Sequence, residues 1–295
     1  MEIKIKIGIS FNPYGNTYGR YEEEKFSKIK RHGYDAVDYN LADTNIELYS
    51  LNENELKIKI TAEKTSAQSA GIVISQVHGP WRYPPKDDTA KDRRERLEKM
   101  KKAVIISALL DCKYLVIHPI MPFGIRDIML GLEKDTWNLN LEFFKELVAF
   151  AKSYNVIICL ENMPMRGFSL ATPAKILELV RTINDDHFKI CFDTGHVAIF
   201  QNISVGDEVR KLGDYIKCFH IHDNLGDSDA HLFPTKGIID WADFSNAVNE
   251  IGYKGVLSLE TAPSSDCNDE RFAQESIRLN QTLKDIMDRT KNIDI

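Results

Sequence analysis

Long apolar runs are missing from this 295-residue chain. No stretch of about 18 apolar residues occurs, which excludes a helical membrane span. Cysteine is scarce: there are five, an odd number, and no Cys-x-x-Cys pair. That excludes a disulfide framework and a zinc ribbon. Cys159, Cys191 and Cys218 sit inside apolar runs, as buried thiols do, whereas Cys112 and Cys267 lie elsewhere. The expected setting is a reducing cytoplasm. An excess of basic residues is also missing, since 38 Lys and Arg face 44 Asp and Glu for a net charge of −6. Nucleic acid is therefore not the expected partner, although a local basic groove can exist on an acidic protein. The densest basic stretch, Lys91 to Lys102, is interspersed with acids at helical spacing and reads as a solvated helix face. No Pro/Gly/Ser-rich linker divides the chain, so residues 1–295 are read as a single domain. The opening, Met1 to Ser10, alternates polar and apolar and reads as a strand rather than a secretory leader.

What is present is a repeating alternation of an apolar run and a helical stretch. The runs are Ile5–Ser10, Ala36–Tyr39, Ile72–His78, Tyr114–His118, Val156–Glu161, Phe188–Asp193, Ile216–His220 and Gly255–Glu260. They are rich in Val, Ile, Leu and Phe without strict alternation, as parallel strands buried on both faces are. Amphipathic stretches fall at Tyr21 to His32, Asn52 to Ala70, Asp88 to Leu110, Asp243 to Ile251 and Asp269 to Arg289. Gly33, Gly71 and Gly252 close three of them, and Thr172-Pro173 opens another with a cap and a first-turn proline. Eight such units predict an α/β fold, a single (β/α)8 TIM barrel. The competitor, an open doubly wound sheet, is weakened because no Gly-x-Gly-x-x-Gly follows the first run. The segment Pro119 to Asn138 reads as a long loop and a candidate lid.

In such a barrel function gathers at the C-terminal strand ends. Six consecutive runs close on His, Asp or Glu: His78, His118, Glu161, Asp193, His220 and Glu260. Six of the eight histidines (78, 118, 196, 220, 222 and 231) lie at these ends or just after them, which a packing argument does not produce. Converging imidazoles and carboxylates are costly to desolvate unless a cation compensates them. Mixed nitrogen and oxygen donors suit Zn, Mn, Fe or Co better than Ca. The most economical metal site is Glu161, Asp193, His220 and Glu260, from four successive strands. His222, two residues beyond His220, competes for the same ligand role. Trp81 and Trp137 are candidate walls of a sugar pocket or packing residues, and Lys236 is a candidate for an anionic substituent or a solvated side chain.

The motifs Leu-Glu-Asn at 160–162, Phe-Asp-Thr-Gly-His at 192–196, His-Ile-His-Asp-Asn at 220–224 and Gly-Ile-Ile-Asp-Trp at 237–241 resemble the xylose-isomerase-like barrel superfamily. That group includes sugar and sugar-phosphate isomerases and epimerases and the type-IV apurinic endonucleases. For the epimerase-like members the resemblance implies one divalent ion, Mn2+ or Zn2+, on Glu161, Asp193, His220 and Glu260. It also makes Glu161 and Glu260 the acid–base pair, moving a proton through a metal-stabilised enediolate of a carbohydrate. Asn162 and Trp81 would then meet the sugar, with His78 and His118 on its hydroxyls or phosphate. For the endonuclease members it implies three ions on His78, His118, Glu161, Asp193, His196, His220, Asp229, His231 and Glu260, all of compatible type here.

The Gly-x-x-Asp-Trp turn favours the isomerase branch, and no basic and aromatic insertion for gripping a duplex is evident. A lyase, dehydratase or phosphodiesterase on the same site is the first alternative. A non-catalytic sugar-binding module is the second, opposed by the presence of both glutamates and the histidine. A homo-oligomer is compatible with the sequence.

Overall fold

The apolar runs become eight strands in a computed structural model of the protein, which describes residues 5–10, 23–263 and 269–289. They are β1 (Lys6–Ser10), β2 (Ala36–Asn40), β3 (Val73–His78), β4 (Tyr114–Ile117), β5 (Ile157–Glu161), β6 (Phe188–Asp193), β7 (Ile216–Ile221) and β8 (Val256–Leu259). Each strand pairs in parallel with the next, and β8 returns to β1 through Lys6↔Val256 to Ile9↔Leu259. The sheet is therefore a closed barrel, and the open-sheet alternative falls.

Eight longer helices surround it among the described residues: α1 (Glu23–Arg31), α2 (Glu53–Ser69), α3 (Ala90–Leu109), α4 (Glu133–Ser153), α5 (Pro173–Ile183), α6 (Val205–Leu212), α7 (Trp241–Glu250) and α8 (Asp269–Arg289). Their starts are written in the sequence. Asn52 with Glu55 and Thr89 with Asp92 form capping boxes on α2 and α3. Thr172 caps α5 ahead of Pro173, and Asp240 caps α7 through the amides of Ala242 and Asp243. Tyr21 and Cys267 lie outside the described residues.

The strands are buried on both faces, but the faces differ. Ile158, Leu160, Ile190, Phe192, Phe219 and Ile221 join the large core between strands and helices. Their alternate neighbours Ile157, Cys159, Cys191 and Cys218 form a separate cluster with Val116. Side chains two apart share a strand face, so this second cluster plugs the lumen, and Glu161, Asp193 and His220 stand one layer above it. Cys112, Cys159, Cys191 and Cys218 are all free and buried.

Two expectations change. Pro119 to Asn138 is folded rather than an open lid: a turn at Gly124–Arg126 and a short helix at Asp127–Leu130 lead into α4. Asn140 exchanges two 2.9 Å hydrogen bonds with the backbone of Ile120, and Asp127 accepts from the amide and hydroxyl of Ser169. These buried polar groups pin the segment. The basic face of α3 is solvated as expected, with Lys99–Glu95 at 2.9 Å and Lys101–Glu146 at 2.8 Å. Arg96 departs from it, turning inward to pair with buried Asp87 at 2.5 Å.

Candidate metal and active site

Strand ends deliver the donors. Glu161 closes β5, Asp193 closes β6 and His220 lies near the end of β7, all fully or almost fully buried. Glu260 follows β8, and its side chain keeps 21% of its exposure. One ligand atom from each of these four residues lies within 4.8 Å of all the others. His220 Nδ1 is 2.7 Å from Glu161 Oε1 and 3.3 Å from Glu260 Oε2.

Two further donor groups flank this one. His78, His118 and Glu161 form the first, and His196, His222, Asp229 and His231 the second. His118 Nε2 approaches Glu161 Oε2 to 2.9 Å and His78 Nε2 to 3.8 Å. Asp229 Oδ2 is 3.3 Å from Nε2 of both His196 and His231. The structure thus assigns the two competing histidines to different groups: His220 joins the four-residue site, and His222 joins the flanking one. A fourth combination, Glu161, Cys191 and His220, reaches into the lumen plug. Burial pushes the Cys191 thiol well above its ordinary pKa, so it stays protonated and is a poor ligand.

Backbone carbonyls set the ring orientations. Nδ1 of His78 meets Gly79 O at 2.9 Å, that of His196 meets Asn162 O at 2.7 Å, and that of His231 meets Glu260 O at 2.5 Å. A carbonyl only accepts, so Nδ1 carries the proton in each ring. In a neutral ring Nε2 is then bare and faces carboxylates, an arrangement that needs a proton or a cation between the two acceptors. Glu161 Oε2 accepts no hydrogen bond among the described residues, despite its closeness to His118. The donor set and this orphaned oxygen fit a divalent cation.

Without a cation, protons on the histidines would fill that role. Burial would raise the Glu161 carboxyl, but the charge of His220 holds it well below the usual carboxylate range. Burial opposes a charge on His196, yet Asp193 and Asp229 hold its pKa well above the ordinary value. His231, where burial likewise opposes and Asp229 prevails, is raised to about 9. His118 goes the other way: burial outweighs Glu161 and lowers it to about 4, so it stays neutral.

Local sequence explains how these groups are held. A Cβ on Gly195 would lie 2.0 Å from the His222 ring, so only glycine lets His222 pack beneath the turn after β6. Asp223 accepts from the amides of Gly237 and Ile239 and from Trp241 Nε1, which folds the Gly-Ile-Ile-Asp-Trp motif against the loop carrying Asp229 and His231. His231 itself sits at φ +46°, a left-handed conformation fixed by Thr261 and Glu260 on either side.

The cleft above the donors holds roughly 460 Å³ of free space, and Trp81, Tyr83, Met163 and Met165 give it an apolar wall. Trp81 packs edge-on to His118 with ring centroids 4.4 Å apart. Three candidate substrate contacts do not line the cleft, and for Trp137 and Lys236 the alternative readings, packing and a solvated side chain, describe their placement. Asn162 spends its amide on the backbone of Asp193, donating at 3.0 Å and accepting at 2.9 Å, so it braces two strand ends. Lys236 is exposed and does not line the cleft. Trp137, on α4, packs half-buried against the outer core. Sequence reasoning missed the methionine wall, because apolar loop residues look like core. It also missed Asp38, the buried carboxylate 2.8 Å from His220 Nε2.

Comparison with known proteins agrees with the barrel fold. An uncharacterized protein of Methanocaldococcus jannaschii is 30% identical over 88% of this chain and 84% of its own length. D-psicose 3-epimerase of Ruminiclostridium cellulolyticum is 24% identical over 84% of this chain and 83% of its own. Among solved structures, the IOLI protein with a bound zinc atom superposes with a TM-score of 0.72 at 18% identity, covering 98% of this chain and all of that one. The model of the xylose isomerase-like TIM barrel matches residues 26–283, and the chain belongs to that family.

Proposed function

We propose that this chain is a sugar or sugar-phosphate isomerase or epimerase that depends on one divalent ion, with Glu161 and Glu260 as its acid–base pair. One observation carries the reading: both glutamates close on the same His220 nitrogen and both line the cleft, Glu161 from its buried floor and Glu260 from its more exposed rim. Glu161, Asp193, His220 and Glu260 would hold the ion. When bound, it supplies electrophilic polarisation of a carbonyl and its neighbouring hydroxyl, stabilising the negative charge of an enediolate. Glu260, reachable from the cleft, takes the proton from the carbon beside the carbonyl. Glu161, which must enter the step carrying a proton of its own, gives that proton to the opposite face, so the two carboxyl groups end the turnover with their protonation states exchanged. His78 and His118 present Nε2 toward the same space and meet sugar hydroxyls. Trp81, Met163 and Met165 shield the reacting carbons from water. We assign the whole of 1–295 to this one domain, and the four free thiols fit a reducing cytoplasm.

The flanking groups support a second reading, a three-ion phosphodiesterase, because each offers its own convergent donors. Elemental analysis of untagged protein, followed by a panel of ketoses and ketose phosphates, separates the two. About one manganese or zinc ion per chain with interconversion of ketose epimers is expected. About three zinc ions with cleavage at abasic DNA sites, lost in His196→Ala and His231→Ala, would replace the isomerase reading with the second.

A further inference from the structure

We propose that Asp38 is the positioning residue for His220, fixing which ring nitrogen faces the ion. The inference rests on the reading of Glu161, Asp193, His220 and Glu260 as the metal group. Asp38 lies in the middle of β2 and is 2% exposed, a place where a carboxylate is costly unless it is paired. Its Oδ2 takes two contacts, from His220 Nε2 at 2.8 Å and from the Gln76 amide at 3.0 Å. Gln76 can only donate through that nitrogen, so Oδ2 serves as an acceptor. The proton between Asp38 and His220 accordingly belongs to Nε2.

This leaves Nδ1 as the coordinating nitrogen, on the ring edge that faces Glu161 and Glu260. The other tautomer would set a bare Nε2 against Asp38 and turn an N–H on Nδ1 toward the ion. Asp38 opposes that tautomer and makes the imidazole a stronger donor, as carboxylate partners of metal-bound histidines do. Gln76 orients Asp38 in turn and reaches toward Phe219 O at 3.5 Å. His222 shows the contrast, since its buried Nδ1 has no hydrogen-bond partner among the described residues. Of the two histidines on β7 and its extension, the one with an anchored far nitrogen is the one in the four-residue group.

The test uses the full chain stripped with a chelator and titrated with zinc, for the wild type, Asp38→Asn and Asp38→Glu. Asp38→Asn is expected to weaken zinc binding about 10- to 100-fold, with partial recovery in Asp38→Glu. Long-range proton–nitrogen correlation spectra of the zinc-loaded wild type read the ring directly and do not depend on any variant folding. They are expected to show a protonated Nε2 and a metal-bound Nδ1 on His220, and a mixture of the two ring states in Asp38→Asn. A purely structural Asp38 would leave the ring state unchanged. Wild-type zinc affinity in Asp38→Asn, or a metal-bound Nε2 in the wild type, overturns the inference and leaves the metal site standing. A wild type that binds no zinc or manganese overturns the metal reading and this inference together.

Discussion

Two layers of the barrel lumen lie two residues apart on the same strands and behave as opposites. The lower layer holds Val116, Cys159, Cys191 and Cys218, and the upper one holds His118, Glu161, Asp193 and His220. Burial is nearly complete in both. Below, it raises the Cys191 and Cys218 thiols well above their ordinary values, so these two stay protonated and pack with Val116 and Cys159. Above, burial keeps His118 neutral but fails at the carboxylates, because Glu161 is held ionised by His220 and Asp193 by His196 and His222. The difference teaches where the barrel stops being scaffold. Side chains that need a partner for their charge begin one layer below the mouth, and they come with histidines oriented by carbonyls and by Asp38.

The sharpest way to break this contrast is at the open end of the upper layer. Glu260→Gln keeps an oxygen donor but removes a base, so turnover of a responsive ketose should fall by about 10²- to 10⁴-fold. Zinc titration should still find the ion bound. Near wild-type kcat in this variant would end the two-glutamate mechanism. The next effect comes from moving a charge down a layer. Cys218→Asp places a carboxylate among Cys159, Cys191 and Val116, where nothing compensates it. We expect a loss of about 3–5 kcal/mol in urea unfolding, the scale of an uncompensated buried charge. An unchanged unfolding midpoint would show that the lower layer is not the dry apolar plug described here.

Much of this was legible in the sequence, for reasons tied to particular residues. The strand ends fell within a residue or two of their expected positions because each run ends where an apolar pattern meets a polar donor. Ile216 to His220, for example, became Ile216–Ile221. The histidines stood out because six of eight crowd the strand ends, and each of those six joins a donor group. What stayed hidden depends on contacts far apart in the chain. Asp38 is 182 residues from His220, and nothing in Ala-Val-Asp-Tyr-Asn says which strand its carboxylate meets. Asn162 follows Glu161 and looked equally fit for a sugar, until the backbone of Asp193 absorbed both ends of its amide. Pro119 to Asn138 looked open because its anchors, Asp87, Asn140 and Ser169, lie outside or at the edge of it.

The smallest effect tests whether the two layers are independent. Cys159 stands directly below Glu161 on β5, yet its thiol meets Ile157 O at a long 3.9 Å and the Cys218 thiol, and among the described residues it joins none of the donor groups. Removing one buried sulfur leaves a small cavity, so Cys159→Ala should cost about 1 kcal/mol in urea unfolding. If the lower layer only packs, zinc affinity and turnover should stay at wild-type levels, because the orientation of Glu161 is set by His118 and His220 rather than from beneath. A loss of zinc affinity of about tenfold or more would put Cys159 among the supports that orient metal ligands. In that case the boundary between scaffold and site would run through the thiol layer rather than above it.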